Sequence, residues 1–181
     1  MRKRINNSET IMKGKGHSLW LMPTGEAYDK LSGLIKRLVE EYNAPFFEPH
    51  VTLLGEAMQS EEDVLRRSEQ LASGQKPFPI VLNTVDYQDF YFRALFVRAE
   101  RTDPLQALND RAKEVFEMQD IPDYMPHLSL MYGNFPQAVK ECIIKAIGRD
   151  QATEFTVNSL HIFKTDGEVN AWYKVKEFPL S

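Results

Sequence analysis

One short sequence occurs twice in this chain of 181 residues and constrains its fold more than any other feature. Residues 49–55 are PHVTLLG, and residues 126–133 are PHLSLMYG. Each copy contains a proline, then a histidine, and then a hydroxyl residue two positions after the histidine. Residues i and i+2 of an extended strand point to the same side of a sheet. Two such strands that face each other would therefore bring two imidazoles and two hydroxyl groups to one site.

The four polar residues of this repeated motif are His50, Thr52, His127 and Ser129. Aliphatic residues alternate with them, and these point to the opposite face of each strand, where they can pack into a core. The motif therefore predicts a polar site of four side chains that is supported from behind by apolar packing.

The remaining pattern predicts a chain that mixes helices with strands. Apolar runs bounded by Pro, Gly and Asn predict further strands, and apolar residues at helical spacing predict helices. The strands are expected over 18–22, 78–87, 90–99, 154–164 and 170–178, and the helices over 25–42, 60–74, 103–118 and 137–147. Asp103 is the expected N-cap of the third helix, with Pro104 in its first turn. Both histidines follow a strand and a helix, which indicates a duplicated βαβ unit.

The charge distribution separates the start of the chain from the rest. The formal net charge is -4, whereas proteins that bind long nucleic acids usually carry a basic surface. Five of the basic residues cluster near the start, against the single acid Glu9: Arg2, Lys3, Arg4, Lys13 and Lys15. We expect residues 1–16 to form a mobile basic tail and residues 17–181 to form one bilobal domain. An arm that steers RNA is the alternative for the tail.

The composition limits where the protein is expected to be located and which roles a cysteine can have in it. No apolar run approaches the roughly 20 residues that cross a bilayer, so we expect a cytoplasmic protein without membrane contact. We also expect the protein to be a monomer. The single cysteine, Cys142, excludes an internal disulfide and a cysteine-based zinc site. Its place in the helix over 137–147 predicts a core residue rather than a nucleophile.

The two motifs resemble those of the two-histidine (2H) phosphoesterase superfamily, which is related to the 2',5' RNA ligase-like fold. Within it, three segments are similar to the cyclic phosphodiesterase branch: 47–52 (FEPHVT), 124–132 (YMPHLSLMY) and 164–166 (KTD) together with Trp172. The resemblance covers nearly everything from Ser18 to Leu180.

This resemblance implies an α+β fold of two lobes, each with an antiparallel sheet flanked by helices, and an active-site groove between them. It also implies hydrolysis of ribose cyclic phosphates without a metal or another cofactor. The substrates would be nucleoside 2',3'-cyclic phosphates, opened to nucleoside 2'-phosphates, and ADP-ribose 1'',2''-cyclic phosphate, opened to ADP-ribose 1''-phosphate.

The residue types suit this chemistry. Water must lose a proton as it attacks phosphorus, and the leaving ribose oxygen must gain one. A neutral and a protonated imidazole can perform both transfers near neutral pH. We expect His127 as the base and His50 as the acid, although sequence alone does not order them. The hydroxyls of Thr52 and Ser129 would donate hydrogen bonds to the phosphate oxygens.

The expected substrate contacts are Tyr132, Tyr91, Phe92 and Arg93. By resemblance, Tyr132 would help to hold the attacking water, but strict strand alternation points it away from Ser129 unless the strand ends or bulges there. Tyr91 and Phe92 lie where the family places aromatic residues near the nucleoside. In a strand, Arg93 would share a face with Tyr91 and could approach the phosphate.

Other functions remain open at this stage. An RNA 2',5'-ligase or an RNA-end-processing enzyme of the same superfamily would bind a polyanion, and its affinity would fall steeply with salt. A binding module for nucleotides or RNA ends would use the same histidines without turnover. A metal site is disfavoured because the histidines show no spacing typical of metal ligands, and His161 is predicted to be structural.

Overall fold

The computed structural model describes residues 11–181, so Arg2, Lys3, Arg4 and Glu9 of the predicted tail lie outside the described residues. This part of the chain contains four α-helices and eight β-strands. The helices are α1 (Gly25–Tyr42), α2 (Glu61–Ala72), α3 (Asp103–Val115) and α4 (Gln137–Ile147). The strands are β1 (His17–Leu21), β2 (Val51–Ala57), β3 (Phe78–Asp86), β4 (Leu95–Ala99), β5 (His127–Met131), β6 (Asp150–Val157), β7 (Ser159–Lys164) and β8 (Tyr173–Pro179).

All eight strands pair antiparallel in one sheet with the order β6-β3-β4-β5-β2-β1-β7-β8. Four neighbouring strands form each lobe, and the two lobes join where β2 pairs with β5. The strands that flank α1, β1 and β2, are antiparallel neighbours, and the same is true of β4 and β5 around α3. The predicted α+β fold and the duplicated strand-helix-strand unit are confirmed.

Capping hydrogen bonds and backbone conformation set the ends of the helices. The Ser60 side chain accepts a hydrogen bond from the Asp63 backbone N–H, which caps the first turn of α2. Asn43 ends α1 in the left-handed conformation, with φ 53°, which asparagine tolerates better than most residues. The cap of α3 is Thr102 rather than the predicted Asp103, which is the first helical residue.

Helices α1 and α3 connect the two lobes, because each contacts a strand of the lobe to which the other helix's flanking strands belong. Helix α1 contacts β5, and α3 contacts β2. Leu31 and Ile35 of α1 and Leu108 of α3 are fully or almost fully buried in the common core. Asn109 of α3 also donates a hydrogen bond of 2.8 Å to the Leu53 carbonyl oxygen. Within residues 11–181, no helix combines the length and the apolarity of a membrane span.

The structure corrects the extent of two predicted strands. The strand expected over 90–99 begins only at residue 95, because Tyr91–Arg93 forms a 3₁₀ turn that is closed by an Arg93 N–H bond to the Phe90 carbonyl. The strand expected over 154–164 is two strands, β6 and β7, on different lobes. The chain changes its pairing partner at Asn158, and local hydrophobic pattern carries no information about which strand will be the partner.

Helix α4 corrects the prediction for Cys142, which is exposed, whereas Lys140 is buried. The Lys140 ammonium group donates to the Gln88 carbonyl oxygen at 3.0 Å and to the Asp89 carboxylate at 2.5 Å. A buried cation is retained because these acceptors replace the water that it loses. Lys140 therefore anchors the loop that leads into the 3₁₀ turn.

The end of the predicted tail contacts the body of the protein. The Gly14 N–H donates to the Gly167 carbonyl oxygen, and the Gly167 N–H donates back to Gly14. The Gly16 N–H donates to the Asp166 carboxylate at 2.6 Å. These bonds fix residues 14–16 beside the loop between β7 and β8.

We predict that Lys140→Met lowers the free energy of unfolding by about 2 kcal/mol, because it removes two hydrogen bonds from a charged donor and leaves the partly buried Gln88 carbonyl without that donor. Urea unfolding followed by circular dichroism measures the loss. Lys145→Met is the matched control, since Lys145 lies exposed on the same helix. Equal stability of the two variants would show that the Lys140 anchor contributes nothing.

Candidate active site

The pairing of β2 with β5 brings the two motifs together. Val51 is the partner of Leu128 in this antiparallel ladder. Continuing the register by one residue each way places His50 opposite Ser129, and Thr52 opposite His127. Val51 and Leu128 are fully buried in the core, so the four polar residues share the other face of the sheet.

A cavity of about 230 Å³ lies over this face and is open to solvent. Its walls come from both lobes and from the segment at residues 14–15. The lining residues are Gly14, Lys15, Ser18, Trp20, His50, Thr52, Gly55, Glu56, Phe90, Phe92, Arg93, His127, Ser129, Tyr132, Thr165 and Trp172. The structure therefore brings all four motif residues to one groove.

His50 is held between an aromatic ring and a backbone carbonyl. The Trp20 ring is stacked on its imidazole, with centroids 3.5 Å apart and planes 5° apart. Its Nδ1 lies 2.6 Å from the Glu48 carbonyl oxygen. A carbonyl oxygen can only accept, so Nδ1 carries the proton and Nε2 is left with a free lone pair. Burial, with a smaller contribution from the nearby His127, lowers the pKa of His50 to about 3, although the hydrogen bond to the Glu48 carbonyl acts in the opposite direction.

His127 repeats this arrangement in the second lobe. Its Nδ1 lies 2.8 Å from the Met125 carbonyl oxygen, again two residues earlier in the chain. Phe96 contacts the imidazole edge-on, with ring centroids 5.1 Å apart. Burial also lowers the pKa of His127, as do the charges of Arg93 and Arg98. His127 is partly exposed, whereas His50 is 4 % exposed.

The prolines of the two motifs explain the shared histidine geometry. Proline disfavours helical backbone in the residue before it, so Glu48 and Met125 are held extended. Their carbonyl groups thereby become available to the imidazole two residues later. Each motif thus fixes both the tautomer and the orientation of its own histidine.

The hydroxyl groups and Tyr132 complete the polar part of the site. Ser129 donates a hydrogen bond of 3.0 Å to the Phe92 carbonyl oxygen, so a bond from Ser129 to a phosphate would replace this one. Strand β5 ends at Met131, and this frees Tyr132 from strand alternation. Burial raises the pKa of the Tyr132 phenol, and the neighbouring Ser129 hydroxyl acts in the opposite direction. The Tyr132 ring is stacked on Phe47, with centroids 3.7 Å apart.

The chain matches a known protein family over most of its length. The family model of the 2'-5' RNA ligase superfamily matches residues 23–168. The chain belongs to this superfamily. The expected resemblance to the 2H phosphoesterases is therefore confirmed.

Two relatives of this superfamily member carry informative names. A cyclic phosphodiesterase of Arabidopsis thaliana is 28% identical over 156 residues, which cover 84% of this chain and 86% of the relative. A 2',3'-cyclic-nucleotide 3'-phosphodiesterase of Phaeosphaeria nodorum is 23% identical over 191 residues, with 90% of this chain and 97% of the relative covered.

Solved structures of low sequence identity share the superfamily fold. The protein TT0787 of Thermus thermophilus matches with a TM-score of 0.64 and 17% identity, covering 91% of this chain and 97% of that one. E. coli LigT in its apo form matches with a TM-score of 0.62 and 15% identity, covering 94% and 99%. LigT has also been solved in complex with 3'-AMP.

In this superfamily member the predicted substrate contacts divide into two groups. Phe92, Arg93 and Tyr132 line the cavity, whereas Tyr91 does not and is 7 % exposed within the core. The prediction treated 90–99 as a strand, in which Tyr91 and Arg93 would share a face. A 3₁₀ turn has about three residues per turn, so successive side chains point in different directions. Tyr91 therefore points away from the groove that Arg93 lines.

Several cavity residues were not predicted as site residues. Trp20 was expected only as part of a buried strand, and Lys15 only as part of the tail. Trp172 belonged to the resemblance, but no position in the site was expected for it. The alternation of β1 with its neighbours could have revealed Trp20, since Trp20 is the strand partner of Thr52. Within residues 11–181, no group of three or more His, Cys, Asp or Glu residues could hold a metal ion.

The buried state of His50 predicts a pH dependence of stability. The folded protein keeps His50 neutral down to about pH 3, whereas the unfolded chain binds a proton below about pH 6.5. The free energy of unfolding therefore falls as pH decreases through this window. Between pH 7 and pH 4.5 the free energy of unfolding should fall by about 2–3 kcal/mol more in the wild type than in His50→Gln. Urea unfolding at both pH values measures this, and identical losses would contradict a neutral, buried His50.

Proposed function

We propose that this protein hydrolyses ribose cyclic phosphates by metal-independent acid and base catalysis at His50 and His127. The preferred reaction opens nucleoside 2',3'-cyclic phosphates to nucleoside 2'-phosphates, and ADP-ribose 1'',2''-cyclic phosphate is a further candidate substrate. Hydrolysis of a cyclic phosphate is also the activity named in both relatives. Binding of RNA ends and a monomeric state stay predictions.

One observation carries the proposal. The pairing of Val51 with Leu128 brings two Nδ1-protonated imidazoles to one cavity, each with an unprotonated Nε2. Hydrolysis of a phosphodiester needs one group that takes a proton from water and another that gives a proton to the leaving oxygen. Two imidazoles beside one groove supply both groups, and hydroxyl groups beside them can hold the non-bridging oxygens.

The structure bears on the order of the two roles. Both pKa values are lowered, so one imidazole must gain a proton when the anionic phosphate binds. His127 is more exposed than His50, so its imidazolium keeps more of its hydration and it is the easier one to protonate. We therefore assign His50 as the general base and His127 as the general acid, the reverse of the order expected from the sequence.

The remaining groups position the substrate. Thr52 and Ser129 flank the imidazoles, and each can donate a hydroxyl hydrogen bond to a phosphate oxygen. Arg93 carries a positive charge on the same cavity wall and its guanidinium lies 4.7 Å from the Phe90 ring centroid. Phe92 and Trp172 present aromatic surface, with ring centroids 5.7 Å apart, on which a base can stack.

Removal of either histidine tests the pair. We expect His50→Ala and His127→Ala each to lower kcat/KM for 2',3'-cyclic AMP by about 10²- to 10⁴-fold, because each positioned acid or base typically contributes this factor. EDTA should leave the wild-type rate unchanged. His161→Ala is the matched control, since His161 lies outside the cavity.

Product analysis separates the alternatives. A 2'-monophosphate supports the proposal, whereas binding without any product supports a recognition module. Full activity in either single histidine variant, or a wild-type rate abolished by EDTA, would refute two-histidine hydrolysis without a metal.

A substrate with sulfur in place of the leaving 3' oxygen tests the order of the roles. A thiolate leaves without needing a proton, so loss of the general acid should matter little with this compound. We expect the loss of activity in His127→Ala to be at least about 10-fold smaller with this compound than with the oxygen substrate. The loss in His50→Ala should be the same with both compounds. Initial rates of thiol release measure this. Recovery in His50→Ala alone would restore the order expected from the sequence.

A further inference from the structure

Glu56 occupies an unusual backbone position on the cavity wall. Its φ is 55°, which is the left-handed region that residues other than Gly, Asn and Asp rarely adopt. The pairing of β1 with β2 shifts register twice between Thr52 and Ala57. Because of these irregularities, the sequence neighbours Gly55 and Glu56 both line the cavity, which strict strand alternation would forbid.

Within residues 11–181, the Glu56 carboxylate has no partner that explains its position. Among residues 11–181 it forms no hydrogen bond or ion pair, even though Lys15 lines the same cavity. A carboxylate repels a bound phosphate, so it weakens binding unless it contacts an uncharged part of the substrate. A residue that is held in a strained backbone conformation at a site suggests a function that outweighs the free-energy cost of the strain.

The position of Glu56 along the groove indicates which part of the substrate it reaches. Glu56 lies four positions after Thr52 in β2, which corresponds to roughly 10–13 Å along the strand. This is comparable with the length of a nucleotide from its ribose phosphate to the far edge of its base. The aromatic side chains of Phe92 and Trp172, on the same cavity, can hold the plane of that base between these points.

We infer that Glu56 selects guanine, by accepting hydrogen bonds from N1–H and from the 2-amino group of a bound guanosine cyclic phosphate. This inference rests on the proposed function. A carboxylate has two acceptor oxygens side by side, and guanine alone among the four bases has two adjacent donors on its Watson–Crick edge. Adenine and cytosine present one amino group there, and uracil presents one imide N–H.

The test compares kcat/KM for the 2',3'-cyclic phosphates of guanosine, inosine, adenosine, cytidine and uridine. We expect the wild type to prefer guanosine, and Glu56→Gln to lose about 5- to 150-fold with guanosine while the other three common bases change by less than about 3-fold. Inosine lacks the 2-amino group and should fall between guanosine and adenosine. Glu62→Gln is the matched control, because Glu62 is exposed outside the cavity and the charge change is the same.

A second variant separates selectivity from folding. Glycine adopts positive φ without strain, so Glu56→Gly should melt at the same temperature as the wild type or higher and should still lose the guanosine preference. An unchanged base preference in both variants, or an equal loss with every base, would overturn the inference.

The two proposals fail in different ways. If the wild type turns over none of the cyclic phosphates, the proposed function fails. In that case, calorimetry measures the binding of guanosine 2'-phosphate and adenosine 2'-phosphate to the wild type and to Glu56→Gln. The inference requires that the wild type binds the guanosine compound more tightly and that Glu56→Gln abolishes this difference.

Discussion

The antiparallel pairing of β2 with β5 is the interaction on which the rest of the structure depends. It joins the two lobes into one sheet, and its register places Val51 beside Leu128. Because alternate residues of a strand face opposite sides, this single register decides that both aliphatic residues enter the core and that both histidines face the groove. A slip of one residue would exchange the two sets, so the buried aliphatic pair keeps both histidines facing the groove.

The second constraint is the burial of the imidazoles. Trp20 covers one face of His50, and the Glu48 carbonyl oxygen accepts a hydrogen bond from its Nδ1–H. Burial disfavours the charged imidazolium, so His50 remains neutral with one defined tautomer. His127 has the same hydrogen-bond arrangement and its pKa is also lowered by burial, but its side chain is more exposed. Two copies of one motif thus differ in burial, and the proposed acid and base roles rest on this difference.

Sequence reasoning predicted the parts of the site that depend on short-range pattern. The motif itself fixed the spacing of His50 and Thr52, and the prolines determined the backbone ahead of each histidine. It failed where the backbone departs from regular geometry. The 3₁₀ turn at Tyr91–Arg93 turns Tyr91 into the core, and the register shifts of β2 bring Glu56 to the cavity wall. Such irregularities arise from long-range contacts, for example the Lys140 anchor of the preceding loop, which local pattern does not encode.

By itself the sequence determined the helices, most of the strands, the two motifs and the superfamily, because these depend on periodicity and on residue spacing along the chain. The tertiary structure alone decided which strands are neighbours, that β6 and β7 belong to different lobes, and that Trp20 stacks on His50. It also decided how strongly each imidazole is buried. These properties depend on contacts between residues far apart in the chain, and the free energies of such contacts are set by packing and burial rather than by local sequence.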